Sequence, residues 1–572
     1  MYNKPMRAFR RETALYLLAF CIGLVIRLIG LGAAPLADVE AKWALQAFDI
    51  SSGARSAVGS QPAYVLLTSA LFFVLGGASN ALARLVPALV GSGLILVPAL
   101  FRDRLKARPA VILAFALALE PGLAAISRQA GSSILAVTFA LAAWGLWERH
   151  LPHWAGIFAG MALLSGPGLW VGLLGLALAR ALLLPFERGG GGKSKPRLGV
   201  PRPDLREDWI KAGLYGLGTI VLLGTMFMTV PAGLGAWTAG LPEYIASWTR
   251  ASDISVGVML SSLIAYEPVA VILGMTAIIR GWMQGSVRVR RLTIWMVVAL
   301  LLALFNPSRQ VVDLGWMLIP LWALASLELA RNLDVRPTER REVLGAVALG
   351  GIILVYVWMS FLELSRSGIA PQLFQRGIWL LLGLFLVLVI SMLLVAIGWS
   401  LRAARHGTIW GLTAFLGLYS ISALMAATGL RYLPNGAEMW RPGAELPMAG
   451  LLLSTVQEQS AWSNADVDAQ PVTIAGIDSP ALQWLLRDRE VEMRSTVGTA
   501  SKPPMVITRD EQDPALVSAY RGQSFVWRST PLWRLFKLDE WLPFHAATHE
   551  NEKIILWVRI DLFPDGKSST TP

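Results

Sequence analysis

Asp38 and Glu40 stand two residues apart in the run Pro35-Leu36-Ala37-Asp38-Val39-Glu40-Ala41-Lys42-Trp43. A carboxylate at a membrane surface can take a proton from an attacking hydroxyl, worth about 10²–10⁴ in rate when well placed. On chemistry alone, a solvated loop acid, with Glu40 and Lys42 as ordinary charges at a helix start, is the commoner reading. Three arginines fall at the ends of apolar runs: Arg84, Arg128 in Ser127-Arg128-Gln129, and Arg309 in Asn306-Pro307-Ser308-Arg309-Gln310. A guanidinium grips phosphate through two parallel hydrogen bonds; each arginine also fits simple snorkelling to lipid headgroups. Asp38 and Glu40 are therefore the candidate catalytic residues. Lys42, Trp43, Arg84, Arg128, Gln129, Arg309 and Asp313 are the candidate substrate-binding residues, and no metal ligand is assigned.

What must position these residues is a membrane. The 572-residue chain is 55% hydrophobic and 15% charged, with a mean hydropathy of +0.55. Apolar runs of about 20 residues, enough to cross a hydrocarbon layer of roughly 30 Å, recur from Leu15 to Ala427. A polytopic α-helical protein is expected, since a barrel would show short alternating strands. The first run, Leu15–Leu31, lacks a small-residue cleavage signature and is expected to be a retained span. The lone cysteine, Cys21, excludes an internal disulfide. A net charge of +12 would fit nucleic acid, but the cations sit in short loops between spans, so none is expected as a partner.

Lys and Arg bias sets orientation. Basic stretches occur at Lys4–Arg11, Arg102–Arg108, Glu148–His150, Arg188–Lys211, Arg280–Arg291, Arg331–Arg341 and Arg402–His406; the loops between them are poor in cations. The first set is expected in the cytoplasm and the second outside. This pattern holds only if Gln61–Leu75 is a surface or re-entrant helix within a first outer loop, residues 35–80. The spans then fall near 82–101, 110–126, 132–147, 153–165, 168–185, 210–230, 256–279, 292–305, 311–329, 343–362, 377–399 and 408–427. With the first run this gives about thirteen crossings of a plasma membrane, a cytoplasmic N-terminus and an extracytoplasmic C-terminus. No paired, broken, ionisable midplane helices or inverted repeats are visible, which makes a secondary transporter the weaker reading.

Two domains are expected: a transmembrane domain over 1–429 and an extracytoplasmic α/β domain over 430–572. In the second, β-like runs occur at Val472–Ile477, Met505–Thr508, Ser524–Arg528 and Ile554–Asp561. Asp478-Ser479-Pro480 predicts a helix start, with a capping side chain and proline just inside. Gly189-Gly190-Gly191-Gly192-Lys193-Ser194 resembles part of a phosphate loop, but Glu187 stands where that loop needs glycine and no strand precedes it; a flexible linker fits better. His545 and His549 have a metal-like spacing without a third ligand, and a surface pair fits better. The tryptophans of the second domain fit core or interfacial packing as well as sugar stacking.

Taken in order, several short motifs resemble a known family. A loosened Pro-Leu-x-x-acid-Glu motif follows the first span. Next come Gln61-Pro62-Ala63-Tyr64, Asn80-Ala81-Leu82-Ala83-Arg84-Leu85 and Ser127-Arg128-Gln129-Ala130, then Asn306-Pro307-Ser308-Arg309 before Ile319-Pro320-Leu321. The set resembles the GT-C membrane glycosyltransferases, which include protein O-mannosyltransferases and aminoarabinose transferases (glycosyltransferase family 39-like), and covers residues 1–330 best. The resemblance implies an enzyme that draws a polyprenyl-phosphate-linked sugar from the bilayer. A first-loop acid would activate an acceptor protein, lipid or glycan, basic residues would hold the leaving phosphate, and the anomeric centre would invert. Glu40 matches the Glu of the family's Asp-Glu pair. The Asp position is Val39, with Asp38 one residue earlier, and Ala130-Gly131-Ser132-Ser133 stands where a second-loop acid is usual. These departures keep open a non-catalytic relative that binds a lipid carrier or serves a flippase as scaffold. No cofactor is certain and divalent metal dependence stays open.

Overall fold

The computed structural model describes residues 3–54, 58–189, 205–334, 337–365, 371–431, 436–463, 470–496, 502–510, 516 and 518–563. The glycine-rich run from Gly190 to Ser194 lies outside these. The chain is mostly helical, with one sheet near the C-terminus. Among the described residues, six helices are long and apolar enough to cross a membrane: Asn80–Leu100, Gly168–Pro185, Val311–Arg331, Arg340–Leu364, Gln375–Gly398 and Leu401–Ala427. The count rises to eight if each of two bent helix pairs is one span. The thirteen crossings expected from loop charge exceed this count. Several expected spans are short or interrupted: Ile134–Glu148 has 15 residues and Pro152–Leu163 has 12.

Both interruptions are Glu-Pro steps. Ala107–Leu119 and Pro121–Ser127 bend by 58° at Glu120, and Val256–Tyr266 and Pro268–Met283 bend by 92° at Glu267. Proline has no N–H for the carbonyl four residues back and collides with it. At the first step Arg27 repairs the loss. Its Nη2 donates to Leu117 O at 3.1 Å, the carbonyl Pro121 cannot serve, and its Nη1 to Ala118 O at 3.3 Å. Glu120 meanwhile caps the new helix by accepting from the Gly122 and Leu123 amides. Glu120 and Glu267 are fully buried, and Trp322 Nε1 donates to Glu267 Oε2 at 2.8 Å. Two broken helices carrying a buried glutamate are thus present among the described residues. A proline leaves hydropathy unchanged, so the breaks were invisible to it.

The stretches expected on the inner side meet one another. Arg102 pairs with Glu12 at 2.9 Å, Arg149 with Asp103 at 3.0 Å and Arg108 with Asp334 at 2.7 Å. The Pro62–Leu75 helix has 14 residues, too short for a full crossing. It packs against Asp38–Ser51 and Asn80–Gly93 and leaves Phe73, Val74 and Leu75 exposed at its end.

The C-terminal sheet is built from β1 (Val472–Ala475), β2 (Val491–Arg494), β3 (Met505–Arg509), β4 (Tyr520–Pro531) and β5 (His549–Arg559), in the order β2-β1-β3-β5-β4. β1 pairs in parallel with β2 and β3; the β3–β5 and β5–β4 pairs are antiparallel. The four expected runs each coincide with a strand. β2 was missed because it is short and largely exposed. Ser479 does cap Pro480–Leu485, accepting from Leu482 N at 3.3 Å. One hydrophobic core runs from the helices into the sheet, through Trp440, Trp484 and Phe525. The sheet region is thereby packed on the Asp38–Ser51 helix.

Candidate functional site

The Asp38–Ser51 helix begins straight after the loop that leaves the Asn3–Leu28 helix, with extended Ala37 before it. Asp38 and Glu40 occupy its first turn, where exposed amides favour negative charge. Two positions apart on a helix, they point to different surroundings.

Glu40 turns inward and is 7% exposed. Its Oε1 accepts from Arg84 Nε at 2.8 Å and the Ala130 amide at 2.9 Å. Its Oε2 accepts from Arg84 Nη2 at 2.6 Å and the Ala37 amide at 3.4 Å. A carboxylate has about four acceptor sites, so this one is full. Burial alone would raise the Glu40 carboxyl, but the Arg84 guanidinium and the two amides outweigh it and hold it below the ordinary carboxylate value. Arg84 is equally committed. Beyond Glu40 it donates to Leu31 O, Ala34 O and Pro35 O at 2.8–3.2 Å. Five N–H groups thus clamp the loop after the first helix to the start of the Asn80–Gly93 helix.

Asp38 turns toward the sheet domain. Its Oδ1 accepts from Ser479 Oγ at 2.7 Å and the Ala481 amide at 3.0 Å, and its Oδ2 from Arg528 Nε at 2.8 Å. The expectation that Asp38 or Glu40 acts as a free base meets a structure in which both hold the loop in place.

The other candidates divide in the same way. Arg128 Nη1 donates to Ile26 O, Arg27 O and Ile29 O at 2.7–3.0 Å, closing the carbonyl end of the first helix. Gln129 Nε2 donates to Trp440 O at 2.6 Å, tying the segment after Ser127 to the segment after the last long helix. Trp43 is buried against Gly131, and exposed Lys42 lies 5.1 Å over the Trp43 ring. Asp313 accepts from the Gln310 amide at 2.8 Å, capping its own helical turn. Arg309 donates to Ile254 O at 2.9 Å and Asn306 O at 3.4 Å; neither Glu40, Arg84 nor Arg128 is among its partners. The structure therefore unites Glu40, Arg84, Trp43 and the Arg128–Ala130 segment, and places Arg309 and Asp313 on a separate loop.

Gly131 shows how tight the junction is. It has a φ of +67°, and a Cβ there would fall 2.2 Å from Trp43 Cδ1. We expect Gly131→Ala to lower stability by about 1–3 kcal/mol through overpacking and left-handed strain, read as a lower thermal midpoint in detergent.

Sequence reasoning missed the segment that follows the last long helix. Glu438 accepts from His545 Nδ1 at 2.7 Å and from the Tyr266 hydroxyl, all three being buried. Trp440 lies over Gly122, and Arg441 follows at the rim. The only signal was one local cluster of Glu, Trp, Arg and Glu. Of the expected surface pair, His545 is buried with Nδ1 on Glu438, while His549 Nδ1 faces Ala547 O at 2.9 Å. Among the described residues no group of three or more His, Cys, Asp or Glu gathers as a metal site.

The chain matches no family model, and no curated protein matches it. Among solved structures it is similar to ArnT from Cupriavidus metallidurans bound to undecaprenyl phosphate, with a TM-score of 0.53 and 16% identity over 95% of this chain and 98% of that one. The same protein in the apo state gives a TM-score of 0.52 at 15% identity over the same shares. The chain thus shares the fold of that protein over 95% of its length.

Proposed function

We propose that this protein is a membrane glycosyltransferase that takes a sugar from a polyprenyl-phosphate donor and passes it to an acceptor on the outer face. The observation that carries this reading is the full-length match to a fold solved with undecaprenyl phosphate bound. The local geometry is compatible. The Glu40–Arg84 pair and the Ala130 amide draw the first and second outer loops together, and the sheet domain closes over them through Asp38 and Arg528.

One observation favours a second reading, a lipid-carrier protein without transfer: all acceptor sites of Glu40 are filled, and Asp38 has three contacts. Both readings require the lipid. Mass spectrometry of the purified protein should find bound polyprenyl phosphate or its glycosyl ester, and a clean apo protein would remove both. Transfer is then tested by glycan product in the host. Product lost on deletion and restored by wild type supports the enzyme; unchanged product after deletion excludes it. Asp38→Asn should leave product within about threefold if Asp38 only anchors the sheet domain, and abolish it if Asp38 is the base, where a lost base costs about 10²–10⁴.

A further inference from the structure

At the outer rim the fold leaves one nearby carboxyl group free. Glu445 is exposed, and its backbone is fixed to Ser529 by two hydrogen bonds of 3.0 and 2.9 Å. Its side chain accepts no hydrogen bond and makes no ion pair among the described residues. Four residues earlier, half-buried Arg441 donates through Nε to Ala427 O at 3.2 Å, while its two Nη groups have no partner among the described residues. Gly429, with a φ of +73°, makes room for that guanidinium, since a Cβ there would lie 1.7 Å from Arg441 Nη2.

The segment between them crosses the start of the first outer-loop helix. A Cβ on Gly443 would fall 2.4 Å from Ala37 Cβ and 3.4 Å from Val39 Cγ2, and Val39 is 49% exposed. Arg441 is within electrostatic reach of Arg128, which in turn feels Arg84. Glu445 is within reach of Arg441, His549 and Glu438. A free carboxylate and a free guanidinium thus flank the point where Asp38 and Glu40 are both committed elsewhere.

Resting on the glycosyltransferase reading, we propose that Glu445 is the general base and Arg441 the phosphate-holding guanidinium, both supplied by the C-terminal segment. Glu445 takes the proton of an acceptor hydroxyl as that oxygen bonds to the anomeric carbon. The bond from that carbon to the donor phosphate oxygen breaks, and its electron pair leaves on the polyprenyl phosphate. The phosphate gains one negative charge, which the Arg441 fork binds bidentately. The proton remains on Glu445 until water removes it. Partial burial pushes the Glu445 carboxyl above the ordinary carboxylate value, with Glu438 adding to the rise and Arg441 and His549 opposing it. A raised value suits a base working near neutrality.

The test uses full-length protein in phosphatidylglycerol nanodiscs doped with undecaprenyl phosphate, and glycan product in a host lacking its own copy. Glu445→Gln should cut product about 100-fold or more while undecaprenyl phosphate binding and the thermal midpoint stay at wild type. Glu445→Asp should restore part of the product, and the acid limb of the wild-type pH profile should vanish in Glu445→Gln. Arg441→Ala should weaken undecaprenyl phosphate binding about tenfold, with partial recovery in Arg441→Lys. Normal product from Glu445→Gln overturns the proposal and leaves the enzyme reading intact. A wild-type protein that binds the lipid yet transfers nothing also overturns it. A wild-type protein that binds no lipid phosphate overturns the reading beneath it.

Discussion

Glu40→Gln should destabilise the protein by about 3–5 kcal/mol, the usual cost of removing one partner from a buried ion pair. The loss is large because Arg84 stays behind, 7% exposed, with its charge uncompensated. Arg84→Met should cost more. It strands the Glu40 carboxylate and also leaves the Leu31, Ala34 and Pro35 carbonyls without their guanidinium donor. The double variant should be no worse than Arg84→Met alone, because removing both charges eliminates the unpaired one. Unfolding in detergent, followed by tryptophan fluorescence, would rank the three. A single variant as stable as wild type would show that the clamp is not what holds the loop.

The same pair sets an acid dependence. The folded-state value of Glu40 is depressed, so the unfolded chain binds its proton more readily. Its contribution is complete above the unfolded value of about 4.3 and is lost as pH falls through the lower folded value. Wild type and Glu40→Gln should therefore differ most near neutrality and converge in acid. A gap that widens as pH falls would contradict the assignment.

The second large effect is expected at Glu438. It bonds His545 and Tyr266 at once, and the three side chains are buried where the sheet domain meets the broken Val256–Tyr266 helix. Glu438→Ala leaves a buried imidazole N–H and a buried hydroxyl without partners. Each such orphan costs about 1–3 kcal/mol. The variant should lose stability by a sum of that order and loosen the 436–446 segment, read as faster amide exchange over those residues with the distant Arg340–Leu364 and Gln375–Gly398 helices unchanged. Uniform exchange throughout would show that the triad does not anchor the segment.

Much of this molecule is written in local pattern. Apolar runs and the basic stretches between them located the long helices, because both hydropathy and charge bias act within one segment. The alternation of apolar residues marked four strands, and Asp478-Ser479-Pro480 marked a helix start through capping chemistry that needs only three residues. The order of Glu40, Arg84 and Ser127-Arg128-Gln129 at the ends of apolar runs marked them as candidates. Their work was not so marked. Whether a carboxylate is a base or an anchor depends on which donors reach it, and here they come from 44 residues away for Arg84 and 490 for Arg528. Only tertiary packing brings such distant groups within 3 Å, and it alone filled Glu40 and tied down Asp38.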